Sequence, residues 1–485
     1  MALVRALTAL LPSVALAAAQ TDMSSLVQVN AQPHRSMQGR RDQPFDSPEH
    51  KPDYQPRHKA VRQEMQNYMD MQYFASIAIG GQEITGIIDT GSFELVVFET
   101  HCQNCGIAAK YNKMKSNKHR KGVIKRGLFY GSGDIYAAEA FDMVDFGPKQ
   151  VNQSFWEAYE AFMPVLQQAY FQSIIGVGPP EMPPAEAWKK TLTTLKDVAR
   201  TVSDGREPEL WQLVKAKNDT DFAYEVSVQP TMLTNFGVEK FTVCLLSQPG
   251  SPGYFVWGDD SSEKHPEVFK RIPVLGRHTW TLRMTDVRLQ PREMNARGPV
   301  HISCAGGCGA IVDSGTSLLM VPANVVSKLE EALTELDADC TNMQDLPDIT
   351  FNLGDHTFSL PPDSFLAEVN SVPANMAAFA RLRTISSGRC QLSVMESYST
   401  TDWGPLWILG MPFFRKYYTT FHIGKNHDER ALLVAPADSG CYPSTEPAVL
   451  SRSGSREVYR RRLDLSNMYI SPLVKEAAEG VHMSL

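Results

Sequence analysis

After its first twenty residues the sequence has no apolar run long enough to cross a bilayer, which leaves no helical membrane anchor in the body of the chain. It has no surplus of positive charge either: a net charge of −7 and a pI near 6.0 give no global bias toward nucleic acid. A metal-ligand pattern is also missing. Cys102-x-x-Cys105 and Cys304 to Cys308 supply four sulfurs, but one pair encloses three residues and roughly 200 positions lie between the pairs, which is not zinc-site spacing. No metal and no cofactor is expected. What is present is a globular composition, 43% hydrophobic and 9% aromatic over 485 residues. That length is enough for two or three domains of about 100–200 residues each.

The N-terminus places Arg5 before an apolar run from Ala6 to Ala18, closed by Ala15, Ala17 and Ala19. The run is short and contains Pro12, so residues 1–20 read as a secretory signal peptide rather than a membrane span. Secretory entry makes the eight cysteines disulfide candidates. Cys102 with Cys105, Cys304 with Cys308 and Cys340 with Cys390 are near neighbours, and Cys244 and Cys441 remain. Asn152-Gln153-Ser154 and Asn218-Asp219-Thr220 are glycosylation sequons, although such triplets also arise by chance. Residues 21–65, rich in Gln, Arg, Pro and His and poor in apolar residues, read as a propeptide.

From residue 66 to 262 the pattern is that of strands. Tyr73–Ile79 and Ile84–Ile88 flank a Gly80-Gly81 turn and end on Asp89. Leu95–Phe98 continues as strand, and eight Lys and Arg fall between Lys110 and Arg126, a solvated loop or a basic rim that biases substrate choice. Leu128–Tyr136 forms two strand-like arms around Gly131-Ser132-Gly133, a tip that lets Tyr130 act as a lid. An apolar run, Ile174-Ile175-Gly176, follows. The spacing of Trp188, Leu192, Leu195 and Val198 then predicts a helix over Pro183 to about Arg200, with a short second helix over Pro208–Val214; against the family resemblance given below, the stretch 183–221 reads as an insertion. Residues 263–443 replay the order. Strands lead to Asp313, Pro322–Leu336 reads as a helix, and Leu406–Gly410 answers the Ile174–Gly176 run. Residues 444–485, with Arg460-Arg461-Arg462, read as an appended polar extension.

Ile87-Ile88-Asp89-Thr90-Gly91-Ser92 returns as Ile311-Val312-Asp313-Ser314-Gly315-Thr316. In each copy a buried strand ends in a tight turn that presents a carboxylate. A duplicated fold brings the two acids together. Adjacent carboxylates do not both ionise easily, so they share a proton and offer one acid and one base. Such a pair activates water without a covalent adduct or a metal. Ser92 and Thr316 are placed to donate to the outer carboxylate oxygens, while Gly91 and Gly315 let the backbones approach.

With both Asp motifs, the Tyr130-Gly131-Ser132-Gly133 flap, Cys304-Ala305-Gly306-Gly307-Cys308 and Trp407-Ile408-Leu409-Gly410, the chain resembles the pepsin-type aspartic endopeptidases, near the cathepsin D branch, from about Asn67 to Tyr442. The resemblance implies a predominantly β, bilobal fold about a pseudo-two-fold axis, with Asp89 and Asp313 hydrolysing extended peptides at acid pH. It implies pepstatin-like inhibitors, a monomer, and disulfides Cys102–Cys105, Cys304–Cys308 and Cys340–Cys390. Cys244 and Cys441 fall near strands shared by both lobes and are expected to pair. The destination is an endolysosomal or vacuolar lumen, or the outside of the cell.

Departures from the family pattern are specific. Val96 stands where a Trp usually holds the flap tyrosine, Phe93 and Glu94 replace smaller polar residues, and the Cys102–Cys105 loop is short. The propeptide does not match the family's inhibitory segment, and Lys51 or Lys59 is the base available to lie across the dyad. Two other functions compete. A binding protein on the same fold would be expected to lose one acid, and both survive; a two-carboxylate glycosidase needs a wider separation and has no supporting motif.

Overall fold

A computed structural model of the chain describes residues 60–483 apart from 148, 181, 229–230, 293–297, 335, 372–387 and 445–457. The expected signal peptide, most of the propeptide and both Lys51 and Lys59 lie outside the described residues. The architecture is mostly β. In the first half the strand Gln82–Asp89 pairs antiparallel with Gln72–Ile79 and parallel with Ser173–Gly176, in the register Ile87↔Ile174, Ile88↔Ile175 and Asp89↔Gly176. Leu95–Gln103 pairs antiparallel on the other side of Ser173–Gly176. The second half repeats this topology. Cys308–Val312 pairs parallel with Gly404–Leu409, register Ile311↔Ile408 and Val312↔Leu409, and Leu319–Pro322 meets that strand antiparallel at Met320↔Ile408. Each Asp therefore leaves a strand whose neighbour is the apolar run ending in glycine. These strands are buried on both faces, which is why they read as continuous apolar runs rather than alternating ones.

Strands from both halves also share one sheet, in the order Lys270–Pro273, Ala431–Pro436, Tyr417–His422, Lys240–Leu245, Gly253–Trp257 and Val61–Tyr68. Phe241 stacks on Phe421 at 4.7 Å between ring centroids, and Trp280 meets Phe421 edge-on at 5.0 Å. The Cys244–Cys441 disulfide closes the same region over a sequence separation of 197. The other bridges join Cys102–Cys105, Cys304–Cys308 and Cys340–Cys390. A bridge across so long a segment constrains the unfolded chain most, so replacing Cys244 and Cys441 together with Ala is expected to cost about 3 kcal/mol. Calorimetric melting of the variant against the parent checks this; an unchanged melting temperature would show that the sheet alone sets stability there.

Four sequence expectations need correction. Residues up to 65 were expected to lack core elements, yet Val61–Tyr68 is a strand paired antiparallel with Gly253–Trp257 and with Gln72–Ile79. Its sequence, Val-Arg-Gln-Glu-Met-Gln-Asn-Tyr, is too polar to signal a core element, and its place comes from backbone pairing. The helix expected over Pro322–Leu336 is confined to Ala323–Ala332. In the stretch expected to be helical, helices run over Met182–Ser203 and Leu210–Val228, the second well beyond the expected end at Val214, and Asp219, accepting from Thr194 Oγ1 of the first helix, ties the pair together internally.

The fourth correction is the largest. Residues 444–485 were expected to be an appended polar extension, whereas the described residues 458–483 fold back into the body. Arg462–Asp464 adds parallel to Leu366–Ser371, Pro472–Glu479 is a helix started by Ser471, whose hydroxyl accepts from Val474 N–H, and His482–Met483 pairs with Thr400–Thr401. Leu463, Leu465, Met468, Ile470, Leu473, Val474 and Ala477 join one apolar cluster with Met71, Ile311, Leu318, Met320, Met395 and Ile408. Burying an aliphatic side chain of this size is worth about 1.5–3 kcal/mol. In sequence the tail's apolar residues are interspersed with charged ones from Arg452 to Glu479, which masks them.

Candidate active site

The two turns meet. Thr90 N–H donates to Ser314 Oγ at 3.2 Å and Ser314 N–H to Thr90 Oγ1 at 2.9 Å. Thr90 Oγ1 donates to Val312 O at 3.1 Å, and Ser314 Oγ to Ile88 O at 2.8 Å. Each hydroxyl accepts from the opposite backbone and donates to it, so the two halves are cross-linked at the residues following the acids. Glycine completes the approach: a Cβ on Gly91 would lie 2.7 Å from Asp313 Oδ2, and one on Gly315 would collide with Asp89 Oδ1.

Both carboxylates are fully buried. Asp89 Oδ1 accepts from Gly91 N–H at 2.9 Å, and Oδ2 from Ser92 Oγ at 2.7 Å. Asp313 accepts from Gly315 N–H at 2.8 Å and Thr316 Oγ1 at 2.5 Å. Burial, followed by the neighbouring Asp89 charge, pushes the Asp313 carboxyl up to about 8. Burial raises Asp89 too, against the opposing hydrogen bonds from Ser92, Tyr469 and Gly91. Desolvation and mutual repulsion thus put one proton on the pair.

Arg120–Tyr130 and Gly133–Phe146 form a hairpin, closed by Tyr130↔Gly133 around Gly131-Ser132. Gly133 takes φ +138°, a value that only glycine adopts without strain. The Tyr130 ring is buried in a cluster with Val96, Phe98, Phe171 and Ile174. The basic run ahead of it is partly neutralised, with Lys113 and His119 on Glu157 and Arg126 near Glu94.

Sequence reasoning missed two hydroxyls at the carboxylates. Tyr469 OH donates to Asp89 Oδ2 at 2.8 Å, and Ser471 Oγ lies 3.4 Å from Asp313 Oδ2. The available signal was Leu473, Val474 and Ala477 at helical spacing behind Ser471-Pro472, a capped start with proline in the first turn. Among the described residues no group of three or more His, Cys, Asp or Glu side chains is arranged to hold a metal ion, and no helix is long and apolar enough to cross a membrane.

A model of the eukaryotic aspartyl protease family matches residues 72–199 and 220–432. Rat cathepsin D is 29% identical over 381 residues, which cover 74% of this chain and 80% of the relative. Human gastricsin is 28% identical over 381 residues, covering 76% and 83%, and bovine pepsin A 26% over 376 residues, covering 75% and 85%. The chain belongs to the eukaryotic aspartyl protease family. It is an aspartic endopeptidase of the pepsin-like type, with peptides as its substrates. The tail beyond residue 432, including Tyr469, falls outside the matched residues.

Proposed function

We propose that Asp89 and Asp313 are the catalytic pair. The observation that carries this reading is the meeting of two fully buried carboxylates, each with its own hydroxyl and backbone N–H donor. Asp89 takes a proton from water as the water oxygen attacks the peptide carbonyl, and Asp313 gives its proton to the carbonyl oxygen. The resulting tetrahedral diol collapses with cleavage of the C–N bond: the proton on Asp89 goes to the leaving nitrogen, and a diol proton returns to Asp313. No bond to the protein forms. Thr90 and Ser314 fix the spacing, Ser92 and Thr316 orient the carboxylates, and Tyr130-Gly131-Ser132-Gly133 covers an extended peptide.

One chain supplies both acids, which supports action as a monomer with protein and peptide substrates and pepstatin-like inhibitors. The signal-like residues 1–20 and four disulfides support entry into the secretory pathway, toward an acidic lysosomal or vacuolar lumen or secretion. Asn152 and Asn218 are exposed, as glycan acceptors must be. Residues 21–65 are the propeptide of a zymogen.

The test is digestion of a peptide library from about pH 3 to about pH 8 by the chain and by its Tyr469→Ala variant, with and without pepstatin. Pepstatin-sensitive cleavage with an acidic optimum is expected; cleavage that ignores pepstatin would reject the pair as catalyst.

A further inference from the structure

The residues facing the pair and the flap come from the chain's own C-terminus, and we infer that residues 458–483 form a resident inhibitor that occupies the substrate cleft. The inference rests on the endopeptidase reading for its consequence, and on contacts alone for its geometry.

The tail engages the flap tip and both carboxylates. Ile470 C=O accepts from Gly131 N–H at 3.0 Å and from Ser132 N–H at 3.3 Å. Ile470 N–H donates to Ser132 Oγ at 2.6 Å. Both backbone groups of one tail residue are therefore spent on the flap tip, as a strand spends them on a sheet edge. On one side of Ile470 the Tyr469 hydroxyl reaches Asp89, and on the other the Ser471 hydroxyl reaches Asp313. The Tyr469 ring lies 5.9 Å from the Tyr130 ring and 6.5 Å from that of Phe171. Met468, Tyr469, Ile470 and Ser471 are each no more than 2% exposed.

The groups that touch the carboxylates are side-chain hydroxyls. A substrate must instead offer a peptide carbonyl to the acid and leave room for a water on the base. Tyr469 OH holds the Asp89 oxygen that would take the water's proton, so the tail blocks chemistry without being a site of it.

Anchors on both flanks hold the segment in register. Upstream, the Arg461 guanidinium is buried 3.0 Å from Asp70 Oδ2, and Gln72 Nε2 donates to Asn467 O. Downstream, the Pro472–Glu479 helix is pinned by Tyr398 N–H to Ala477 O at 3.1 Å and Ser399 Oγ to Glu476 O at 2.9 Å. The anchors belong to structure that begins before the flap and ends after it, which a loosely appended tail would not possess.

Deleting residues 445–485 strips the apolar cluster and risks the fold, so the decisive variant is the full chain carrying Tyr469→Ala and Ile470→Pro. It removes the hydroxyl on Asp89, the ring under the flap and the N–H given to Ser132, and leaves both anchors. Pepstatin is the probe, titrated by calorimetry into the unaltered chain and the variant, with cleavage of a peptide substrate measured in parallel. The variant is expected to bind pepstatin at least about tenfold more tightly. If cleavage is absent in both while pepstatin affinity rises, the inhibitor stands and the catalytic reading fails. No gain in pepstatin affinity overturns the inhibitor, whatever the cleavage assay shows.

Discussion

Asp89→Asn, in a Tyr469→Ala background, is expected to lose at least about 1,000-fold in the rate of peptide cleavage, because an amide takes no proton from water at any working pH. Asp313→Asn should lose as much for a different reason: its amide can donate a hydrogen bond to the substrate carbonyl but cannot transfer a proton and recover it. Neither change should unfold the chain. The amide is nearly isosteric with the carboxyl, and at either position it removes one of two repelling groups from a site where both are fully buried. Initial rates on one fluorogenic peptide, with melting temperatures alongside, separate loss of chemistry from loss of fold. Either variant keeping a tenth of the parental rate would remove that residue from the mechanism.

Thermal stability should fall as pH rises from about 4 to about 8. Asp313 carries a folded-state pKa of about 8 against 3.8 for the ordinary side chain, so the folded state holds a proton that the unfolded state gives up. Stability from such a group is fully present below 3.8 and is lost as pH rises through the folded value. Burial raises Asp89 and Asp363 as well, and their contributions have the same sign. His422, lowered by burial, opposes them, since the unfolded state gains its proton as the pH drops. Asp70 acts elsewhere: burial raises it, but Arg461 and Arg415 together with hydrogen bonds from Asn67 and Gly250 N–H lower its pKa on balance, so its contribution disappears only at acid pH, below the ordinary carboxylate value. Melting temperatures across the window should decline in the parent and decline less in Asp313→Asn. Equal slopes in the two proteins would mean that the buried pair does not hold the proton.

The parts of the site legible in sequence are those whose signal is local. A strand that ends in Asp-Thr-Gly-Ser declares its own turn, and a Gly-Ser-Gly tip between strand-like arms declares a hairpin. The repetition of the Asp motif then suggests a meeting that neither copy implies alone. The reciprocal bonding of Thr90 and Ser314 was not legible, because it depends on backbone groups 224 residues away. The substitution of Val96 for the usual Trp left the seating of Tyr130 open. In the structure that ring packs beside Tyr469, 339 residues further along the chain, a neighbour that no local pattern names. The tail was misread for the same reason: its apolar residues find partners on strands that occur much earlier, and charged residues are interspersed among them.

The covalent link between the tail and the cleft it fills has a consequence in mass-action terms. A ligand on a separate molecule is shed on dilution, but a tethered one meets its site at a local concentration set by the chain, commonly in the millimolar range. Occupancy of the cleft is then the same in a dilute solution as in a crowded compartment. Every competing peptide sees its affinity multiplied by the fraction of molecules in which the cleft is open. Substrates differing in intrinsic affinity are all scaled by that one factor, so the tail sets a common threshold for proteolysis while leaving the ranking among substrates to the cleft.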